Sequence, residues 1–170
     1  LTLTHVPDST FLDIPELLTN EKFRMNAIEH LDDKVLKNFW ANEFNKLSPQ
    51  LRSESISPIL NKVGQFLSSQ TIRNIVGKPH STIDLEAMMN EGKIILVNLS
   101  QGKLGEDSSA LLGAMLITKI QLAAMNRVYI EEEKRRDFYL YVDEFQNFAT
   151  QSFIKILSEA RKYRLDLTLA

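Results

Sequence analysis

The sequence predicts an α/β fold: a parallel sheet with helices on both faces, joined to an all-helical subdomain. Three observations lead there. Residues 138–142, Phe-Tyr-Leu-Tyr-Val, form an unbroken apolar and aromatic run that ends in Asp143 and Glu144. A short run without alternation reads as a strand buried on both faces, as parallel sheets require. Residues 93–99, Lys-Ile-Ile-Leu-Val-Asn-Leu, make a second such run, and a third begins at Leu165. Helical patterns separate these runs, and the connections are short. The order strand, helix, strand, helix, strand is that of a parallel, right-handed arrangement.

The first part of the chain, residues 1–80, reads as an all-helical subdomain. Leu12, Ile14, Leu17 and Leu18 follow an acidic start that contains a proline. Phe23, Ala27, Ile28 and Leu31 form a stripe at helical spacing. Val35, Leu36, Phe39, Trp40, Phe44 and Leu47 form the next. Ser48-Pro49 ends that helix. A further stripe runs through Ile56, Ile59, Leu60, Val63, Phe66 and Leu67, with Ser57-Pro58 placed near its first turn, where proline is tolerated. Gly77 and Pro79 close this part.

Residues 81–170 hold the sheet. Asp84 is the expected N-cap of a helix over residues 85–91, and Gly92 its stop. Residues 100–107 read as a polar, glycine-containing loop. Ser108 or Ser109 would cap a long helix reaching roughly residue 133, with Ala110, Gly113 and Ala114 allowing close packing against the sheet. The charged stretch 131–136 reads as a solvated turn into the strand at 138. A helix from about residue 150 to 164 then carries Phe153, Ile156, Leu157 and Ala160 on its buried stripe.

Composition narrows the field without choosing within it. The 170 residues are 44% apolar and 25% charged, ordinary for a folded domain. The net charge of −2 offers no global attraction for nucleic acid, so any DNA contact has to come from local patches. There is no cysteine, which excludes disulfides and thiolate metal sites. His5, His30 and His80 lack ligand spacing. No apolar run reads as approaching the ~20 residues of a bilayer span. The chain begins at Leu1 and stops at Ala170 inside what reads as a strand, so both ends are expected to continue in a longer protein.

The chemistry-bearing motif is Asp143-Glu144. A strand ending in two carboxylates delivers them to the carboxyl edge of a parallel sheet, where open α/β folds bind ligands. This is the pattern of a Walker B element. Asp143 would hold Mg²⁺ through its water shell, and Glu144 would polarise the water that attacks a γ-phosphate. The same pair also suits the start of a helix, where acids favour the positive end of the dipole. Gln146 and Asn147 would orient water or metal ligands, or cap the helix expected at Thr150. Residues 101–106, Gln-Gly-Lys-Leu-Gly-Glu, fail as a phosphate loop, because Gly-Lys-Ser/Thr does not follow the required four-residue gap. No Walker A motif occurs in the 170 residues. Arg161, Lys162 and Arg164 sit where basic residues complement a helix C-terminus, and an arginine there also suits a finger reaching a neighbouring subunit's nucleotide. Trp40, Phe39 and Phe44 read as core.

Residues 138–148 (FYLYVDEFQNF) and 153–165 (FIKILSEARKYRL) resemble the C-terminal half of the type IV secretion coupling proteins, the TraG/TraD-like members of the FtsK/HerA superfamily of hexameric DNA translocases. In that family a Walker B strand ending in Asp-Glu precedes a helix ending in Ala-Arg-Lys-Tyr-Gly. Asp143 and Glu144 match the acids and Arg161 the arginine finger, while Arg164 stands where the family has glycine. The helical segment around Phe39-Trp40 and Ser57-Pro58 resembles the family's all-α insertion, and residues 94–105 the strand and loop after it.

The resemblance implies a RecA-like fold, ATP and Mg²⁺ as cofactors, a homo-hexameric ring and DNA as the moved substrate. Asp143 and Gln146 would lie at the nucleotide and metal, and Glu144 and Arg161 would be catalytic. Relaxosome or secretion-channel proteins would be partners. The motor would be cytoplasmic, with the whole protein anchored at the inner face of the cell membrane. The alternatives are a HerA-like chromosomal translocase and a non-catalytic docking module of the same fold.

Overall fold

A computed structural model describes residues 1–148 and 159–170. The chain divides into two compact units, Leu1–Ser81 and Thr82–Ala170.

The first unit is helical throughout. A 3₁₀ turn (Thr2–His5) precedes α1 (Asp13–Thr19), α2 (Glu21–Glu29) and α3 (Lys34–Asn38), which runs into a π-helical turn, Phe39–Phe44. Then come α4 (Pro49–Leu67) and α5 (Gln70–Val76). The starts follow local chemistry. Asn20, Asp33, Ser48 and Ser69 each accept a hydrogen bond from a backbone N–H of the first turn. Ser48 does this with Pro49 at the first helical position, so α4 starts about two turns earlier than the stripe at Ile56 suggests. Pro58 therefore lies inside α4, not in its first turn. The core gathers Leu17, Ala27, Leu31, Trp40, Phe44 and Ile56. The Trp40 indole N–H reaches the Thr2 hydroxyl at 2.8 Å. Arg24, only 1% exposed, donates to the Leu17 and Leu18 carbonyls and lies 5.1 Å over the Phe44 ring.

The second unit comprises α6 (Leu85–Glu91), a short α7 (Gln101–Leu104), the long α8 (Glu106–Asn126), and two strands, β1 (Phe138–Val142) and β2 (Leu165–Leu169). The Asp84 side chain accepts from Ala87 N–H at 3.0 Å, and Gly92 closes α6 at φ +70°. β1 and β2 pair in parallel, Phe138 opposite Leu165 through Val142 opposite Leu169. Ile117, Ile120, Ala123 and Ala124 of α8 pack with Phe138, Leu140, Val142 and the matching leucines of β2.

This architecture corrects the expected fold class. The described residues are 65% helical and 6% strand, with a two-stranded sheet among them, and do not form a RecA-like sheet with helices on both faces. Two physical reasons account for the misreading. Tyrosine was counted as apolar, which hid a true alternation in β1: Phe138, Leu140 and Val142 face the core, while Tyr139 and Tyr141 are 59% and 72% exposed. Residues 93–99 have strand composition but no strand pairing, and Ile94 and Leu96 stand 90% and 92% exposed. β-propensity reflects a fit to a pleated, half-buried surface, and without pairing it makes no strand.

Smaller corrections concern boundaries. α8 starts at Glu106 rather than at a serine cap, and Ser109 instead donates to the Leu99 carbonyl. The helix ends at Asn126, well before residue 133, and passes into a 3₁₀ turn, Arg127–Tyr129. The loop expected at 100–107 contains α7. By length and composition alone, the 24-residue segment Glu106–Tyr129 is long and apolar enough to cross a membrane, contrary to the expectation that no run approaches that length. The helix expected at 150–164 falls mostly outside the described residues, as do Phe153, Ile156 and Leu157. Its last turn, Ala160–Tyr163, is 3₁₀.

Candidate functional site

β1 ends at Val142, and the chain turns at once through Asp143 and Glu144 into a 3₁₀ turn, Phe145–Phe148. Backbone bonds fix this turn to the end of β2: Ala170 N–H donates to Val142 O at 3.0 Å, and Phe145 N–H to Ala170 O at 3.3 Å. Glu144 takes the left-handed conformation, φ +54°, unusual for a side-chain-bearing residue. Two contacts hold it there. Asn147 N–H donates to the Glu144 carbonyl at 3.0 Å, and the Gln146 amide donates to the Glu144 carboxylate. Asp143 and Glu144 are both exposed, and neither enters an ion pair among the described residues.

The doublet opens on a cleft of about 1320 Å³ whose walls include residues 93–101, the α8 face at Ser109 and Gly113, and β1 itself. Asp143, Glu144, Asn147, Asn98, Ser100 and Gln101 line it with hard oxygen donors and amides, and Lys93, Arg136, Asp137, Glu106 and Ser109 add charged and polar groups of both signs. Among the described residues no group of three or more acidic, histidine or cysteine side chains could hold a metal directly. The donor set suits Mg²⁺ that keeps most of its waters and takes further oxygens from phosphate. The cleft offers no phosphate cradle at α8: the first turn of that helix carries Glu106 and Asp107, whose charge opposes a phosphate at the helix N-terminus. Lys103 sits in α7 and not at a helix start that could hold phosphate.

Arg161 stands elsewhere. It is exposed on the 3₁₀ turn that leads into β2, whereas Asp143 follows the end of β1. Because the strands are parallel and in register, the two lie at opposite ends of a five-residue sheet. At about 3.3 Å per residue the sheet alone separates them by roughly 15 Å. Asp143, Glu144 and Gln146 are thus brought together, and Arg161 is not brought to them. Arg164 closes its turn at φ +54°, and its guanidinium pairs with Asp137 at 3.2 Å.

The sequence reading missed Arg127, which is fully buried at 0% exposure. Its guanidinium donates to the carbonyls of Tyr163 at 2.9 Å, Arg164 at 3.4 Å and Arg136. Burial, then the nearby Arg135 guanidinium, lowers its pKa, with Asp137 opposing. The signal was present: the buried stripe of α8 runs Ile117, Ile120, Ala124 at helical spacing, and Arg127 is its next member.

No protein-family model, curated protein or solved structure matches the chain.

Proposed function

We propose that residues 82–170 carry the acidic edge and the arginine finger of an ATP-driven, DNA-translocating motor that works as a ring of identical subunits. The observation that carries this reading is the Asp143-Glu144 doublet, set at the carboxyl end of a parallel strand, open to a cleft and free of ion pairs among the described residues. Carboxylates that only scaffold are normally paired or capping.

In this reading Asp143 holds the water shell of Mg²⁺, which when bound neutralises charge on the phosphates. Glu144 accepts a proton from the attacking water or orients it, and Gln146 fixes the Glu144 rotamer through their hydrogen bond. Arg161 serves the neighbouring subunit's nucleotide. Its placement at the opposite end of the sheet supports a role in trans, since one γ-phosphate could not touch both ends. Fingers of this kind contribute about 10³–10⁵ in rate. The resemblance noted above is the support for DNA as cargo, for relaxosome or secretion-channel partners and for a cytoplasmic ring at the inner membrane face.

The test is DNA-stimulated ATP hydrolysis by the intact gene product. Glu144→Gln should bind ATP and lose turnover, and turnover at the wild-type rate would remove Glu144 from the mechanism. Arg161→Ala should be inactive, yet recover activity in part when mixed with a subunit defective in ATP binding. A docking module of the same shape is favoured by one observation, the absence of a phosphate loop in these residues. No ATP binding by the intact product would decide for it.

A further inference from the structure

We propose that Arg127 and Arg135 are positioning residues that clamp the turn bearing Arg161, so that the finger and the acid doublet ride on one frame. The proposal rests on the motor reading. Three consecutive carbonyls at the end of this turn are taken by guanidinium groups. Arg135 donates to Lys162 O at 2.8 Å, and Arg127 to Tyr163 O at 2.9 Å and Arg164 O at 3.4 Å. Arg164 N–H returns to Arg161 O at 3.1 Å and closes the turn. Arg127 also holds Arg136 O, two residues before β1 begins, and Arg135 reaches back to Ile130 O at 2.9 Å. One buried guanidinium therefore ties together the approaches to both strands.

The choice of arginine is informative. A buried charge whose partners are carbonyls and no carboxylate costs free energy that an apolar residue of similar volume would not. What it supplies is direction: a planar fork reaches several carbonyls only while the backbone keeps their orientation, and a lysine cannot span the same set. A finger works when its base is held within about 0.5 Å and 10–20° of the productive geometry. Here the backbone of the turn is fixed while the Arg161 side chain stays exposed.

The experiment compares Arg127→Lys and Arg135→Ala in the intact gene product. Both should bind ATP with KM within about twofold of wild type, while kcat falls on the order of 10–100-fold, as misplacement by about 1 Å does. In an Arg161→Lys background, where a reduced rate remains measurable, adding either change should cost little more. Arg135 is half-exposed, so its variant carries the test if Arg127→Lys does not fold. Wild-type kcat in Arg135→Ala, or an equal loss with and without Arg161, overturns the clamp. If Arg161→Ala itself leaves turnover unchanged, it is the motor reading that fails.

Discussion

Arg164 and Glu144 share a property that their side chains do not advertise: both sit at φ +54°. A side chain in the left-handed region costs about 1–2 kcal/mol. At Arg164 the return is a half-exposed pair with Asp137, the kind worth about 0–1 kcal/mol. Arg164→Gly should therefore stabilise the protein by up to about 1 kcal/mol, read as a rise of roughly 4–8 °C in the melting of this unit. A fall in melting temperature would show that the Asp137 pair outweighs the strain. At residue level the sequence was legible wherever one side chain acts on its own backbone. Asp84 and Gly92 could be placed because capping is local. Arg127 was harder to find, because its burial depends on packing across the unit and only the continued stripe from Ile117 marks it.

At the scale of elements, the contact between α8 and the turn after the doublet matters most. A Cβ added at Gly113 would meet the Phe148 ring at 2.1 Å, so the ring lies directly on the helix backbone. Gly113→Ala should destabilise by about 1–3 kcal/mol, the cost of overpacking a filled site. It should also lower turnover by displacing the turn that carries Gln146 and Asn147. Denaturant melts and steady-state rates check the two effects separately. Small residues on this helix were legible as a close-packing surface, although what packs there was not. The ends of elements were less legible. Pro58 misled because Ser48 caps the helix earlier, and α8 stops short of residue 133 because the chain tightens into a 3₁₀ turn at Arg127–Tyr129. Residues 93–99 failed for a different reason: pairing is a property of two segments, and composition describes only one.

At the scale of the molecule, each unit has its own apolar core. Residues 1–81 expressed alone should give a helical circular dichroism spectrum and one cooperative melt; a non-cooperative melt would show that this core is insufficient. The 170-residue chain should hydrolyse ATP no faster than background, since it has no phosphate cradle, and a phosphate-release assay checks this. The two-part division follows from the change in composition near residue 80. The sheet class did not follow, because two tyrosines and one unpaired run were enough to imitate a doubly covered sheet. That unpaired run has a practical result. Ile94 and Leu96 lie bare beside β1, whose outer edge pairs with no other strand among the described residues, and such edges template fibrils and precipitates. In concentrated solution these chains should stick to one another, light scattering should rise with dose, and Leu96→Lys should keep them dispersed.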